Sequence, residues 1–416
     1  MSTEHLESGS TDRRIGQRVR ALRLRKGLGL RACAELCGRT EEWLRQVERG
    51  EQRLDKLSTL VRLANVLGVR DLAVIVGDRL QGLACTVTDG GRIRHEAVPA
   101  IRQVLSTPIL YAQSRPNALA EIEKVRRRLA LAWSAWHGSV RPYTALGAVA
   151  SGLLRDVLTL HRAVEPSMCP TTWGLVAETF QLTQRFLYCV GETELAARAA
   201  DRAMTAAEET DDPHLIAISA WTSTMAALGR DQADEACEVA TTAARYLERK
   251  LKTSEAALSA WGSLQLFTAI AYAKKRRAAD AWRHWDMAHT AASALGPAHH
   301  NPLTMFGQAN VGIYAVAIEV ETGRSRAAID RARTIEVSTI PSSNRRAQHL
   351  LDLARGQMRQ RDFESALRSL RLSETQSAET IVFSPFARQT IEEMISSRRR
   401  PPASLLDLAA RVRVIA

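Results

Sequence analysis

An interruption that recurs through the last two-thirds of the chain dictates the architecture. An Ala-rich, almost continuously helical sequence is broken at Gly191–Thr193, Gly229–Asp231, Lys274–Arg277, Gly323–Ser325 and Arg361–Phe363, at separations of 38, 45, 49 and 38 residues. Small residues line one face of the segments that follow, as in Ala196–Ala200, Ala278–Ala281, Ala327–Ala332 and Ser365–Leu370. Small side chains let two helices approach closely, and a helix pair of this size cannot bury its apolar face alone, so neighbouring pairs must stack and share a continuous core. The spacing therefore predicts an all-α stack of helical hairpins over residues 105–416.

Composition narrows the setting. Of the 416 residues 45% are hydrophobic and 25% charged, as in a soluble globular protein. No stretch reaches the roughly 18 uninterrupted apolar residues of a membrane helix, and Met1–Thr11 is polar without an apolar leader segment. Residues 1–11 are expected to be flexible and the protein cytoplasmic and nucleoid-associated, without a membrane partner. The six cysteines are scattered and read as small buried thiols rather than as a disulfide framework. No Gly-rich phosphate loop, Gly-x-Ser-x-Gly elbow or Cys-x-x-Cys pair is present, so neither an enzyme, a cofactor nor a metal is expected.

The net charge of +12 is unevenly placed: residues 13–53 hold twelve basic and five acidic side chains, an excess of +7. Such a concentration is the electrostatic footprint of a polyanionic partner. Ile15, Val19 and Leu22 recur at helical spacing, with Arg14, Arg18, Arg20, Arg23, Arg25 and Lys26 on the other faces, until Gly27. Leu30, Cys33, Ala34 and Cys37 form a second short stripe ended by Gly38. Thr40 is a good helix cap, Glu41 and Glu42 suit the first turn, Leu44 and Val47 point inward, and Gly50 closes this third helix. Asp55 is suited to cap a fourth, with Leu57, Leu60, Leu63, Ala64 and Leu67 facing the same core before Gly68. A helix ending at Cys37, a turn through Gly38 and Arg39 and a helix capped by Thr40 have the spacing of a helix-turn-helix, whose second member can lie in a major groove. Trp43 is expected to pack on the first helix, and Cys33 and Cys37, lacking a second ligand pair, to be core thiols. This domain is assigned to residues 12–79, with five helices. Residues 80–104, broken by Asp89–Gly91 and Pro99, are read as a linker with a brief hairpin around Leu83–Ile93.

Residues 15–76 resemble the helix-turn-helix domain of xenobiotic-response-element-type regulators, the lambda repressor and Cro-like family. Lys26–Leu28, Ala34–Glu35, Cys37–Gly38, Gln46–Gly50 and Leu63–Val69 stand in that family's order and spacing. Gly29–Leu30 departs from it, for the family commonly has Ser/Thr-Gln there, the Gln resembling a phosphate-contacting cap. The resemblance implies that Arg39, Thr40, Glu41, Glu42, Arg45 and Gln46 face double-stranded DNA. Arg45 can fork onto guanine, Gln46 onto adenine, and Glu41 or Glu42 can accept from cytosine. Arg18, Arg25, Arg31, Arg49 and Arg53 are candidates for phosphate contacts, which position the module without reading sequence.

Residues from about 105 onward resemble a degenerate tetratricopeptide-like solenoid. The order of repressor-type domain, short linker and helical array is similar to actinobacterial regulators of this combined type, the stretches Phe306–Tyr314 and Arg346–Arg355 most of all. The resemblance implies a transcription regulator, expected to be a homodimer, that senses a peptide or small-molecule effector on the array. On the concave helices of such an array Asn and Arg can grip the backbone of a bound peptide while aromatics hold its side chains, and Gln265, Asn310 and Tyr314 on first helices, with Trp221 and Trp261 as companions, are the candidates. The concentration of Trp282, His284, Trp285, His289, His299, His300 and Asn301 reads as ordinary packing beside a surface loop at Gly296–Pro302, since His284 and His289 share no helical face. The alternative to a regulator is an interaction scaffold in which the basic module is vestigial, a reading supported by Leu30.

Overall fold

A computed structural model describes residues 3–52, 54, 57–67, 69, 75, 94–107, 118–396, 401–412 and 414, which divide into two compact units, Met1–Arg92 and Ile93–Ala416. Every regular element among the described residues is helical. The chain is all-α, a helix-turn-helix domain followed by a tetratricopeptide-like solenoid.

In the first unit α1 spans Thr3–Arg25, α2 Leu30–Leu36, α3 Glu41–Arg49 and α4 Leu57–Leu67. α1 reaches back to Thr3, into the segment of residues 1–11 that the sequence reads as flexible. Polar sequence carries no packing signal, but a helix once nucleated extends one hydrogen bond at a time without needing an apolar face. Ile15, Val19 and Leu22 of α1 meet Cys33, Ala34 and Cys37 of α2, Leu44 and Val47 of α3, and Leu60, Leu63, Ala64 and Leu67 of α4, all buried. Gly16 lets α1 and α3 touch: a Cβ there would lie 2.3 Å from the Val47 carbonyl oxygen. Ile75 is fully buried in the same core. The rest of the expected fifth helix, the Asp55 cap, the Leu83–Ile93 hairpin and Cys85 lie outside the described residues.

The second unit opens with α5, Val98–Ser106, so the last residues of the 80–104 segment read as a linker are helical, while residues 80–93 lie outside the described residues. Pro99 sits in the first turn of α5, where its missing N–H is not needed, so it starts a helix instead of breaking one. Val98, Ile101, Val104 and Leu105 are buried in the core of this unit. Six hairpins follow, with three-residue turns: α6 Ala118–Gly138 with α7 Pro142–Ala163, α8 Cys169–Cys189 with α9 Thr193–Glu208, α10 Pro213–Gly229 with α11 Ala233–Leu247, α12 Glu255–Lys274 with α13 Ala278–Leu295, α14 Gln308–Glu321 with α15 Ser325–Ala332, and α16 Ser343–Arg359 with α17 Phe363–Gln376. Short helices α18 Ala378–Phe383, α19 Pro385–Ser396 and α20 Ala403–Arg411 pack against the last hairpin.

The last five turns repeat one device. Gly191, Asp231, Arg276, Gly323 and Arg361 hold left-handed φ values of 79°, 59°, 60°, 84° and 59°. In each turn the next residue's N–H reaches back to the first helix: Glu192 to Leu187, Gln232 to Ala227, Arg277 to Tyr272, Arg324 to Glu319 and Asp362 to Gln357, at 2.8–3.0 Å. This is the Schellman ending, which satisfies orphan carbonyls and reverses the chain.

The two ends of the array are tied together. Glu379 accepts hydrogen bonds from the N–H groups of Tyr143 at 2.7 Å and Thr144 at 3.1 Å, capping α7 from a distant element. Tyr143 Oη donates to Asn344 Oδ1 at 3.1 Å and Ser343 Oγ to the Ser139 carbonyl at 2.7 Å.

Candidate nucleic-acid interface and array cavity

The turn between α2 and α3 is made by Gly38, whose φ of 64° suits a residue without a side chain. The N–H groups of Gly38 and Arg39 cap α2 by donating to Glu35 and Ala34 carbonyls, both at 2.9 Å. Thr40 then caps α3, its Oγ1 accepting from the Trp43 N–H at 3.2 Å. Its hydroxyl is thus engaged with the helix. At the start of α2 Gly29 offers no side-chain cap, as its departure from the Ser/Thr-Gln pattern implies.

Leu44 and Val47 bury the inner edge of α3, while its outer edge carries Glu41, Glu42, Arg45 and Arg49. Arg45 lies between two carboxylates, Nη2 at 2.7 Å from Glu41 and Nη1 at 2.5 Å from Glu42, and keeps 42% side-chain exposure. Gln46 is half-buried, and its main-chain carbonyl accepts from the N–H groups of Glu51 and Gln52 as the helix ends. Arg39 is exposed, with its guanidinium 5.5 Å from the centre of the Trp43 ring. Trp43 is half-buried against the core of this unit. Arg18 and Arg25 are exposed on α1, Arg31 pairs with Glu35 at 3.0 Å and Arg49 with Glu51 at 3.5 Å. Arg53 lies outside the described residues.

One polar group central to this geometry was read from the sequence only as part of a charged face. Arg23 is buried, donating from Nε and Nη2 to Glu48 at 2.6 and 2.9 Å and from Nη1 to the Leu28 carbonyl at 2.9 Å. The bond to Glu48 raises its pKa above the ordinary arginine value. The fork fixes α3 against α1. Its signal is spacing, for Arg23 continues the Ile15, Val19 series at i+4. Burial raises the thiol pKa of Cys33, and that of Cys37 to about 11, so both behave as core thiols. Cys169, Cys189 and Cys237 are half-buried, which corrects the reading of all cysteines as buried.

The first helices of five hairpins, α8, α10, α12, α14 and α16, border a cavity of about 330 Å³. Of the five ligand candidates, Trp221 and Tyr314 line it. Gln265 is buried and bonded through Oε1 to His284 Nδ1 at 2.6 Å; Asn310 is buried behind the wall, its Oδ1 accepting from Arg345 Nε at 2.8 Å. Trp261 is half-buried in the packing around α12. The histidine and tryptophan concentration is packing: Trp285 Nε1 donates to the Val311 carbonyl at 2.9 Å, His284 stacks on Tyr272, and His299 bonds Ser259 at 3.0 Å.

Charge within this cavity was not anticipated. Arg185, Lys274, Arg345 and Arg355 line it with Glu321 and Asp352. Arg355 pairs with Glu321, and Lys274 with Asp231 at 3.3 Å. Arg185 rests 4.7 Å from the Trp221 ring centre and donates to the Leu303 carbonyl at 2.7 Å. Arg345 sits 4.6 Å from the Tyr314 ring centre. Burial lowers the Arg185 pKa to about 10 and pushes the Asp352 carboxyl up to about 6 despite Arg345 and Arg355 nearby. Among the described residues no group of three His, Cys, Asp or Glu side chains could hold a metal ion, and no helix is long and apolar enough to cross a membrane.

Residues 14–74 match the family described as a helix-turn-helix domain. No curated protein matches the chain. Among solved structures the chain is similar to the crystal structure of Bacillus thuringiensis PlcR in complex with the peptide PapR7 and DNA, at 11% identity and a TM-score of 0.31, over 68% of this chain and 95% of that one.

Proposed function

We propose that the chain is a sequence-specific, DNA-binding transcriptional regulator that works as a homodimer in the cytoplasm, its helical array holding the dimer together and sensing a peptide or small-molecule effector. The observation that carries the reading is the two-sided character of α3: the inner edge is locked by Leu44, Val47 and the Arg23–Glu48 fork, while Arg45 on the outer edge remains half-exposed. A major groove can receive such an edge, and two modules would engage half-sites about 34 Å apart.

Arg45 must leave Glu41 and Glu42 to reach a base. Solvated pairs at this helical spacing contribute only about 0.3–0.5 kcal/mol each, whereas a forked arginine on guanine gives about 1–3 kcal/mol of discrimination, so the exchange favours DNA. Selection of bound fragments from a random duplex library tests the reading. An enriched motif is expected, with Arg45→Ala relaxing one position and costing about 1–3 kcal/mol. Recovery without enrichment at moderate salt would defeat it.

A specific observation also favours the scaffold reading. With Glu48 buried on Arg23, the outer edge of α3 sets Glu41 and Glu42 against Arg45 and Arg49, which gives no net positive charge to a helix that would face phosphates. If the array retains a protein partner after nuclease treatment while no duplex is bound, that reading replaces the regulator.

A further inference from the structure

Two of the four cations lining the array cavity have an ion-pair partner, and two do not. Among the described residues Arg355 is committed to Glu321 and Lys274 to Asp231, but neither Arg185 nor Arg345 forms an ion pair. Their positive charge is met by ring faces, one carbonyl and one amide: Trp221 and Leu303 for Arg185, Tyr314 and Asn310 for Arg345. Burial lowers the Arg185 pKa, and the neighbouring charge of Arg345 lowers it further. Such a pair is a costly way to hold a fold together, since an apolar side chain would fill the same space without desolvating a cation. Arginine's rigid fork of donors suits carboxylate recognition.

The charge balance selects the class of anion. With Lys274 and Arg355 neutralised by Asp231 and Glu321, Arg185 and Arg345 stand against the single carboxylate of Asp352, leaving one positive charge uncompensated. A monoanion closes that balance and a dianion exceeds it. The remaining wall is largely apolar and aromatic, with Trp221, Met225, Phe267, Ile270 and Tyr314, beside the polar Thr304, Ser342, Asn344 and Gln348. The Trp221 and Phe267 rings meet edge to face at 5.3 Å, and Phe267 and Tyr314 at 5.8 Å. A volume of about 330 Å³ belongs to the small end of the range for enclosed small molecules.

We infer that this cavity binds a small monocarboxylate with an apolar body, the carboxylate held by Arg185 and Arg345 and the body against Trp221, Met225, Phe267 and Ile270. The inference deepens the effector half of the proposed function, naming the chemical class of the effector, and is independent of whether α3 reads DNA. Arg345 is the selectivity residue because Asn310 already orients its guanidinium through Nε, leaving the outer nitrogens for the ligand.

The test uses the full-length chain with hexanoate, octanoate, decanoate and phenylacetate, each beside its primary amide, together with inorganic phosphate. Tryptophan fluorescence titration and the thermal midpoint report binding without DNA. The best acid is expected to bind at least about tenfold tighter than its amide, the scale of one charge-assisted hydrogen bond. Arg345→Gln and, separately, Arg185→Gln should bring the acid down to the affinity of the amide, while Arg283→Gln on the outer face of α13 should leave it unchanged. Arg345→Lys, which keeps the charge without the fork, should retain part of the preference and covers the case in which the glutamine variant fails to melt cooperatively. The assignment is overturned if amides bind as tightly as acids, if acid affinity survives both arginine substitutions, if phosphate binds with the same arginine dependence, or if no member of the panel binds the parent chain. Acid binding by a chain that enriches no DNA motif would refute the regulator and leave the site standing; failure of the panel with an enriched motif would do the reverse.

Discussion

At the scale of single residues, the interior charges give the sharpest consequences. Arg23 and Glu48 retain only 9% and 7% side-chain exposure, so deleting one leaves the other charged in a dry environment. Arg23→Met is expected to cost the first unit about 3–5 kcal/mol, seen as a lower denaturant midpoint of its transition; a loss below about 1 kcal/mol would show that the fork is not buried in solution. Asp352 behaves in the opposite sense. Its folded pKa, raised from 3.8 to about 6, means that the ionised carboxylate is harder to keep in the folded chain than in the unfolded one. Its unfavourable contribution is fully present above about pH 6 and disappears as pH falls through that value toward 3.8. Asp352→Asn should therefore melt higher than the parent at about pH 8, and the two curves should converge near pH 4. A constant difference across that range would remove the assignment.

At the scale of elements, helix punctuation was legible in the sequence to an uneven degree. The breaks at Gly191 and Gly323 announce themselves because glycine enters the left-handed region freely, whereas Arg276 and Arg361 occupy the same conformation with nothing in their side chains to reveal it. Non-glycine residues pay about 1–2 kcal/mol for that region, partly offset by the entropy a glycine would lose on folding, so Arg361→Gly should stabilise the array by about 0.5–1 kcal/mol. Thermal unfolding checks this, and a lower midpoint would mean that the Arg361 side chain contributes more than its backbone costs. Pro99 was misread because its meaning depends on position: the ring that would break the middle of α5 favours its first turn. Gly16→Ala is expected to push α1 off α3, since its methyl would meet the backbone at Val47 rather than a side chain that could move, at a cost of about 1–3 kcal/mol.

For the whole molecule, the sequence placed the basic module and the succession of hairpins but not the lining of the cavity. Trp221 and Tyr314 were reached because first helices share the inner face, whereas Gln265 turns to His284. α12 is buried on nearly every side, from Ala257 through Ala273, and a helix apolar all round has no phase from which to tell inner from outer residues. Arg185 and Arg345 escaped notice for a related reason: in a chain of 57 basic residues, one that faces an enclosed space looks like any other. The module's charge has a measurable counterpart. If Arg18, Arg25, Arg31, Arg49 and Arg53 each neutralise a phosphate, the log–log dependence of duplex affinity on salt should have a slope of about −4 to −5 per bound module. A flat dependence would leave these arginines without contacts to DNA. The contacts of Glu379 and Ser343 with the opening hairpin carry a mechanical implication. Fastened tip to tail, the hairpins resemble a hoop more than a spring, and Asn344 belongs both to the wall of the cavity and to the clasp on Tyr143, so any guest seated there would press directly on the fastening.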